Sequence, residues 1–312
     1  MKKLRTIFMG TPDFSVPCLE KLIEISDVIA VITQPDKRQG RGNKILFSPV
    51  KNTAIKHNLT VYQPQNIRTD FDFINLVETL NPDLIIVVAF GQILPKSVLS
   101  IPKFGCINVH ASLLPFYRGA APIQWALING EKTTGLTTML MDSGLDTGDI
   151  LKSVNISIDD DMNLDTLHDT LMNLAPNLLE NTISELLENR IDIRKQDDSL
   201  SSYAPMIEKQ TGKINWKESA KNIHNLVRGL DSWPGAYCSQ NGKIFKIWRT
   251  KVSAVSGSPG EILGETISGI IVGTGENSVE ILEIQAPGKK RMKTIDYIRG
   301  NKFIIHSFFD LE

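Results

Sequence analysis

Hydrophobic and polar positions form two alternating kinds of segment in the first half of the chain. Four short apolar runs are typical of strands buried on both faces of a parallel sheet: LRTIFMG, VIAVIT, DLIIVVAF and GCINVH. Three segments between them have the spacing of amphipathic helices: SVPCLEKLIEIS, SPVKNTAIKHN and DFINLVETLN. This alternation predicts an α/β domain with a doubly wound, mostly parallel sheet.

The pattern changes towards the end of the chain. Two more strands, TGLTTMLM and DILKSVNIS, flank a loop rich in Gly and Asp, and a long amphipathic helical region follows them. Beyond DSWPGAY, short strands are separated by turn residues: KIFKIWRTKV, SGIIVGTG and SVEILEIQ. That spacing predicts a small antiparallel barrel or sandwich. We therefore expect a first domain over residues 1–204 and a second over 205–312, joined by a linker at about 190–210.

Composition adds a charge asymmetry to this picture. The 312 residues carry a net charge of −1, which does not by itself indicate a polyanion partner. However, residues 1–204 hold 19 Lys and Arg against 24 Asp and Glu, whereas residues 205–312 hold 15 against 11. The second half is thus basic, which suggests an anionic partner for it, although a solvated surface also explains the excess.

Other features bear on the compartment. Three scattered cysteines suggest a reducing environment. Pro12 and Asp13 interrupt the N-terminal apolar run too early for a signal peptide, and no run of apolar residues is long enough to span a membrane. We expect a cytoplasmic protein without a membrane partner and, since no strongly apolar surface helix stands out, a monomer.

Two loops exclude common cofactors. The turn after the first strand, MGTPDF, holds Gly10 alone, whereas a dinucleotide-binding turn requires three glycines. The loop MDSGLDTGD holds three acids, but Gly144 occupies the third position counted from Asp142, where a calcium loop needs an oxygen ligand. We expect neither a nicotinamide or flavin cofactor nor a metal ion.

Candidate chemistry lies where the fourth strand ends. Asn108 and His110 are two residues apart, so their side chains share one face of that strand near its carboxyl end. An acid of the loop MDSGLDTGD can reach the imidazole and hold it charged. An amide, an imidazole and a carboxylate together suit attack on a carbonyl carbon. Because no Ser or Cys is placed as a nucleophile, direct transfer fits better than a covalent intermediate.

Several of these segments together resemble the folate-dependent formyltransferases. The resemblance rests on NVHASLLPFYRGAAP and MDSGLDTGD and extends to six further segments: GTPDF, TQPDKRQGRGNK, SPVK, VVAFGQILP, DSWPGAY and APGKKRM. It covers nearly the whole chain and implies a formyltransferase-like α/β domain followed by an OB-like barrel. The basic loop and the C-terminal domain are particular to the members that act on tRNA. The implied reaction moves the formyl group of 10-formyltetrahydrofolate to the methionine amino group of initiator methionyl-tRNA.

The resemblance also assigns residues. Asn108, His110 and Asp146 would be catalytic. Residues of three loops would bind the folate: Phe90, Gly91, Gln92, Ile93, Leu94, Ser112, Leu113, Leu114, Pro115, Met139, Asp142 and Thr147. Basic residues of both domains would bind the tRNA: Lys37, Arg38, Arg41, Lys44, Lys246, Arg249, Lys289, Lys290 and Arg291.

Three other functions compete with this interpretation. A formyltransferase of the same chemistry can act on an amino sugar nucleotide or a purine precursor, and a hydrolase can release the formyl group to water. A third candidate is an RNA-binding protein without enzyme activity. The basic loop and the barrel argue against the first, and Asn108, His110 and Asp146 argue against the third.

Overall fold

A computed structural model describes residues 3–39 and 44–311. Within them, the strands are β1 (Arg5–Gly10), β2 (Asp27–Ile32), β3 (Lys37–Gln39), β4 (Lys44–Leu46), β5 (Val61–Tyr62), β6 (Leu84–Val88), β7 (Cys106–His110), β8 (Arg118–Gly119), β9 (Thr133–Leu140), β10 (Ile150–Ser157), β11 (Tyr203–Ala204), β12 (Ala236–Gln240), β13 (Lys243–Ser253), β14 (Ile262–Glu265), β15 (Ile270–Gly273), β16 (Ser278–Gln285) and β17 (Met292–Lys293). The α-helices are α1 (Val16–Ile25), α2 (Pro49–Lys56), α3 (Phe71–Leu80), α4 (Lys96–Leu99), α5 (Pro122–Ile128), α6 (Leu164–Leu187), α7 (Ala220–Gly229) and α8 (Thr294–Ile298).

Contacts divide the chain into two compact units. The first takes in residues 1–119, 135–156 and 168–203, and the second takes in 120–134, 157–167 and 204–312. Each unit is therefore assembled from separate stretches of the chain rather than from one continuous half.

The first unit is built on a seven-stranded sheet in the order β10-β9-β7-β6-β1-β2-β5. The strands from β7 to β5 pair in parallel, and β9 joins β7 in the antiparallel direction. The predicted doubly wound, mostly parallel sheet is confirmed. Every residue of β6 and β7 is buried, as their continuous apolar runs indicate.

The strand order reverses its direction at β1. This strand pairs with β2 on one side and with β6 on the other, so successive crossovers leave the centre of the sheet in opposite directions. In open α/β sheets, ligands bind outside the carboxyl ends of the strands at such a reversal. The loops after β1, β6 and β7 are thus where the fold favours a binding site.

The second unit holds an antiparallel sheet in the order β12-β13-β16-β15-β14, with β17 paired to β16. Its core contains Trp216 and Phe309, whose rings stack with centroids 5.4 Å apart. The apolar face of α7 packs on the same core through Ile223 and Val227. The predicted antiparallel β domain at the C-terminal end of the chain is confirmed.

Shorter elements differ from the sequence expectations. The basic segment expected as a loop has an antiparallel pair of strands, β3 and β4, at its two ends. The residues between them, including Arg41, lie outside the described residues. Helix α5 has only seven residues, too few for a clear helical period. In the described part of the chain, no helix is long and apolar enough to cross a membrane.

Candidate active site

Asn108 and His110 lie on β7 with their side chains on one face. Their cross-strand partners on β9 are Met139 and Thr137, respectively. Both polar residues are nearly buried, with 8% of Asn108 and 6% of His110 exposed. A buried polar side chain needs hydrogen-bond partners, so the neighbours of these two residues define the site.

Asp146 contacts both residues from the loop that follows β9. Because β9 is antiparallel to β7, Leu140 pairs with Ile107, and the loop after β9 begins beside the amino end of β7. The loop then returns along the strand. Asp146 Oδ1 lies 3.4 Å from Asn108 Nδ2, and Asp146 Oδ2 lies 3.7 Å from His110 Nδ1.

A second segment, residues 117–119, contacts both His110 and Asp146 through its backbone. His110 Nε2 lies 2.9 Å from the carbonyl oxygen of Tyr117, and the backbone N–H of Gly119 donates to Asp146 Oδ2 at 2.9 Å. A carbonyl only accepts, so Nε2 carries a proton when this bond forms. Both nitrogens of the imidazole therefore face acceptor oxygens, and the orientation of the ring is fixed.

Two internal features set the shape of the acidic loop. Asp142 Oδ1 accepts hydrogen bonds from the Gly144 N–H at 2.9 Å and from Thr147 Oγ1 at 2.7 Å. At Gly148, a Cβ would lie 1.8 Å from the Leu140 carbonyl oxygen, so the close approach of the backbone requires glycine. Asp142 and Thr147, both assigned to the folate by resemblance, thus bond to each other.

Gln196 bonds to the backbone of this loop, and Arg118 bonds to Gln196. The sequence patterns assign neither residue a role. Gln196 Nε2 donates to the carbonyl oxygens of Asp146 and Gly148 at 2.8 and 2.7 Å. Gln196 Oε1 accepts from Arg118 Nε and Nη2 at 3.0 and 2.8 Å. Gln196 comes from a polar stretch without hydrophobic period, so the pattern carries no signal for it.

The segment after β7 is folded around Thr137. Thr137 Oγ1 donates to the carbonyl oxygen of Ser112 at 2.7 Å and accepts from the N–H of Leu114 at 3.1 Å. Ser112 Oγ donates to the carbonyl oxygen of Phe116 at 2.6 Å. Ser112 and Leu114 are buried, whereas Leu113 and Pro115 are partly exposed.

The loop after β6 has a buried and an exposed side. Phe90 and Leu94 are buried, and Gly91 and Ile93 are exposed. Gln92 is half-buried, and its amide accepts from the N–H of Ile67 and donates to a carbonyl oxygen of the same neighbouring loop. The side chain of Gln92 therefore positions the loop, which leaves backbone groups near Gly91 and the Ile93 side chain facing outward.

Comparison with known proteins shows the family of this chain. The chain matches the family described as "Formyl transferase" over residues 3–183, and "Formyl transferase, C-terminal domain" over residues 206–302. The chain belongs to the formyl transferase family.

Relatives of this formyl transferase match it over almost its full length. A protein named "Methionyl-tRNA formyltransferase" from Clostridium acetobutylicum is 52% identical over 96% of this chain and 97% of its own. A protein of the same name from Geobacter metallireducens is 51% identical over 96% of each chain.

Solved structures share the fold at lower identity. The sugar 3N-formyl transferase WlaRD, solved with dTDP and 5-N-formyl-THF, aligns with a TM-score of 0.68 at 21% identity and covers 93% of this chain and 100% of its own. An N-formyltransferase from Helicobacter canadensis was solved with folinic acid and dTDP-3-aminofucose. It aligns with a TM-score of 0.67 at 21% identity and covers 90% of this chain and 99% of its own.

Three large apolar side chains in the loops after β6, β7 and β9 of this formyl transferase are about half exposed: Ile93 (48%), Phe116 (46%) and Leu145 (47%). Leu145 precedes Asp146, and Phe116 precedes Tyr117, so apolar surface flanks the polar groups. Met139, also assigned to the folate, is buried and is the cross-strand partner of Asn108.

We call residues 37–46 of this formyl transferase, which include β3 and β4, the basic hairpin. Two side chains bind Asp36, the residue directly before it. Lys51 Nζ donates to Asp36 at 2.5 Å, and Gln63 Nε2 donates to the same carboxylate at 2.9 Å. These bonds hold the pKa of Asp36 below its usual range. Lys37 is exposed on β3. Of the other predicted contacts, Arg38 lies on β3 and Lys44 on β4.

The basic residues of the second unit fall into two groups. Arg249, Lys289 and Lys290 are exposed. Arg291 is exposed as well, but it and Lys246 both lie over the ring of Trp248, at 5.1 and 5.2 Å from its centroid. Arg291 also pairs with Asp231 and Glu283 at 2.7 and 2.6 Å, and Lys246 Nζ donates to the Pro234 carbonyl oxygen. Lys246 and Arg291 thus already have partners within the unit.

The cysteines have the character of buried apolar residues. Cys18, Cys106 and Cys238 are all buried and unpaired. Burial raises the pKa of Cys18 and of Cys106 to about 12, and it raises that of Cys238 further. A thiol held neutral in this way is a poor nucleophile.

Replacing Thr137 by Val tests the architecture of the loop after β7. The change keeps the shape of the side chain but leaves the buried Leu114 N–H and the Ser112 carbonyl without their partner. We expect the free energy of unfolding to fall by about 1–3 kcal/mol. Denaturant unfolding of the whole chain measures it. The exposed Thr60→Val is the control and should change stability by less than about 0.5 kcal/mol; equal effects of the two substitutions would contradict the assignment.

Proposed function

We propose that this formyl transferase moves the formyl group of 10-formyltetrahydrofolate to the α-amino group of methionine on initiator tRNA. The observation that carries the chemistry is the placement of the Asp146 carboxylate 3.4 Å from Asn108 Nδ2 and 3.7 Å from His110 Nδ1. The choice of acceptor is supported by relatives about half identical to the chain. The reaction belongs to protein synthesis, and we place it in the cytoplasm.

The acceptor needs little activation. An α-amino group has a pKa of roughly 7.7–8.0, so part of it is neutral at cellular pH. The neutral nitrogen forms a bond to the formyl carbon, and negative charge develops on the formyl oxygen. The bond between that carbon and the folate nitrogen then breaks. The attacking nitrogen loses one proton, and the departing nitrogen gains one.

The three polar side chains match these charge changes. An amide carries two N–H donors, and one of those on Asn108 points to Asp146, so the second can stabilise the oxyanion. The Asp146 carboxylate is an acceptor for the proton lost by the amine. His110, held between the Tyr117 carbonyl and Asp146, can return a proton to the departing nitrogen from Nδ1, the ring nitrogen that faces Asp146.

Basic residues of both units supply affinity for the tRNA. Phosphate contacts dominate the affinity of proteins for nucleic acids but carry no base sequence. The basic hairpin offers Lys37, Arg38, Arg41 and Lys44, and the exposed Arg249, Lys289 and Lys290 offer a second group. Because Lys246 and Arg291 have partners within the unit, we expect Arg249, Lys289 and Lys290 to contribute more.

One assay tests the proposed function. Formyl-folate labelled in the formyl group is offered to the enzyme with charged initiator tRNA, with an amino sugar nucleotide, or with water alone. We expect label on the methionine of the tRNA. Label on the sugar nucleotide instead, or free formate at the same rate with and without tRNA, would contradict the proposal.

Replacing Arg41 by Ala tests the role of the basic hairpin. If Arg41 contacts a phosphate, its loss should lower kcat/KM for the tRNA and flatten the salt dependence by about one unit of slope, with formyl-folate binding unchanged. The matched control is Arg68→Ala, since Arg68 is an exposed arginine outside the basic hairpin. An unaltered kcat/KM for the tRNA, or equal losses in both variants, would show that Arg41 does not bind it.

A further inference from the structure

The orientation of the Gln196 side chain is determined by its neighbours. The guanidinium of Arg118 offers only donors; two of its bonds converge on Gln196 Oε1, and a third goes to Asp198. The two carbonyl oxygens on the other side, those of Asp146 and Gly148, only accept. A reversed amide would put a donor against donors and an acceptor against acceptors. Only one orientation therefore satisfies the whole set.

Asp146 has an unusual backbone that needs this support. Its φ is +53°, in the left-handed region that few residues other than glycine adopt. Such a conformation persists where the surroundings over-determine it. The hydrogen bond from Gln196 Nε2 holds the carbonyl of Asp146 itself, and the bond to Gly148 holds the chain two residues later. The amide thus fixes the backbone that directs the Asp146 carboxylate to Asn108 and His110.

Gln196 also joins the two segments that enclose the imidazole. Arg118, which orients the amide, lies between Tyr117, whose carbonyl receives His110 Nε2, and Gly119, whose N–H binds Asp146 Oδ2. One side chain therefore couples the segment on the Nε2 side of the ring to the loop on the Nδ1 side. A displacement of either segment changes the distance between the imidazole and the carboxylate.

We propose that Gln196, oriented by Arg118, is a positioning residue for formyl transfer, which it supports by holding Asp146 in its left-handed conformation. The inference rests on the proposed function, because the rate it affects is that of formyl transfer. Neither Gln196 nor Arg118 is assigned a contact with the reacting atoms. Both act through the geometry of Asp146.

The substitution Gln196→Glu isolates the donors of the amide. A carboxylate can still accept from Arg118, but it presents an acceptor to two carbonyl oxygens and repels them. We expect the single-turnover formylation rate to fall about 10- to 100-fold, because misplacing a catalytic group by a small distance costs a loss of this order. The affinity for formyl-folate should change much less. Gln210→Glu, the same change at an exposed position, should leave the rate unchanged.

A double-mutant cycle separates positioning from general stability. If Gln196 acts through Asp146, then Gln196→Glu should lower the rate little further once Asp146 is already Asn. Additive losses, or a wild-type rate in Gln196→Glu, would overturn the proposal. If Gln196→Glu fails to fold in thermal unfolding, Arg118→Lys serves in its place, because a single ammonium cannot make the paired bonds to Oε1.

A crystal structure of Gln196→Glu provides a readout that needs no activity. We expect Asp146 to leave the left-handed region or its carboxylate to move away from His110. An Asp146 unchanged in that structure would overturn the inference, even if the enzyme formylates the tRNA. If the wild-type enzyme formylates no tRNA, the proposed function fails while this structural test still stands.

Discussion

The site depends on one carboxylate that is shared among groups from distant parts of the chain. Asp146 accepts from the amide of Asn108 and the N–H of Gly119, and it faces His110 Nδ1. A carboxylate this far out of water is tolerated only when donors surround it. This one set of contacts joins the strand β7, the segment 117–119 and the loop 141–149.

Sheet topology explains why those segments meet. A fully parallel sheet would carry the chain after β9 to the same edge as the end of β7. Here β9 runs antiparallel to β7, so its loop starts at the far end and passes back over the face that carries Asn108 and His110. Two kinds of segment therefore form the site. The loops after the parallel strands lie at one edge of the sheet, and the loop 141–149 after β9 passes over the face that carries Asn108 and His110.

The sequence predicted the elements whose patterns are long or strong. The continuous apolar runs of β6 and β7 indicated buried parallel strands, and the spacing of Asn108 and His110 indicated a shared face. The two-residue strand β5 and the short helix α5 are too brief to show a period. For the second unit, turn residues between short apolar runs indicated an antiparallel domain.

Long-range contacts were out of reach for the same kind of reasoning. Nothing in the composition of the polar stretch around Gln196 indicates that its amide meets the carbonyls of Asp146 and Gly148. Ser112 resembles a ligand-binding residue in sequence, yet its hydroxyl donates to the Phe116 carbonyl. Sequence patterns locate the loops of this site, whereas the partner of each side chain depends on the folded backbone.

The single-turnover rate of formyl transfer by Asn108→Ala and His110→Ala tests the central claim most directly. If these side chains stabilise the developing charge, each variant should lose on the order of 10²–10³ in rate, while formyl-folate still binds and the exposed Asn52→Ala keeps the wild-type rate. Wild-type rates in both variants would show that neither side chain acts on the reacting carbonyl, and would contradict the central claim.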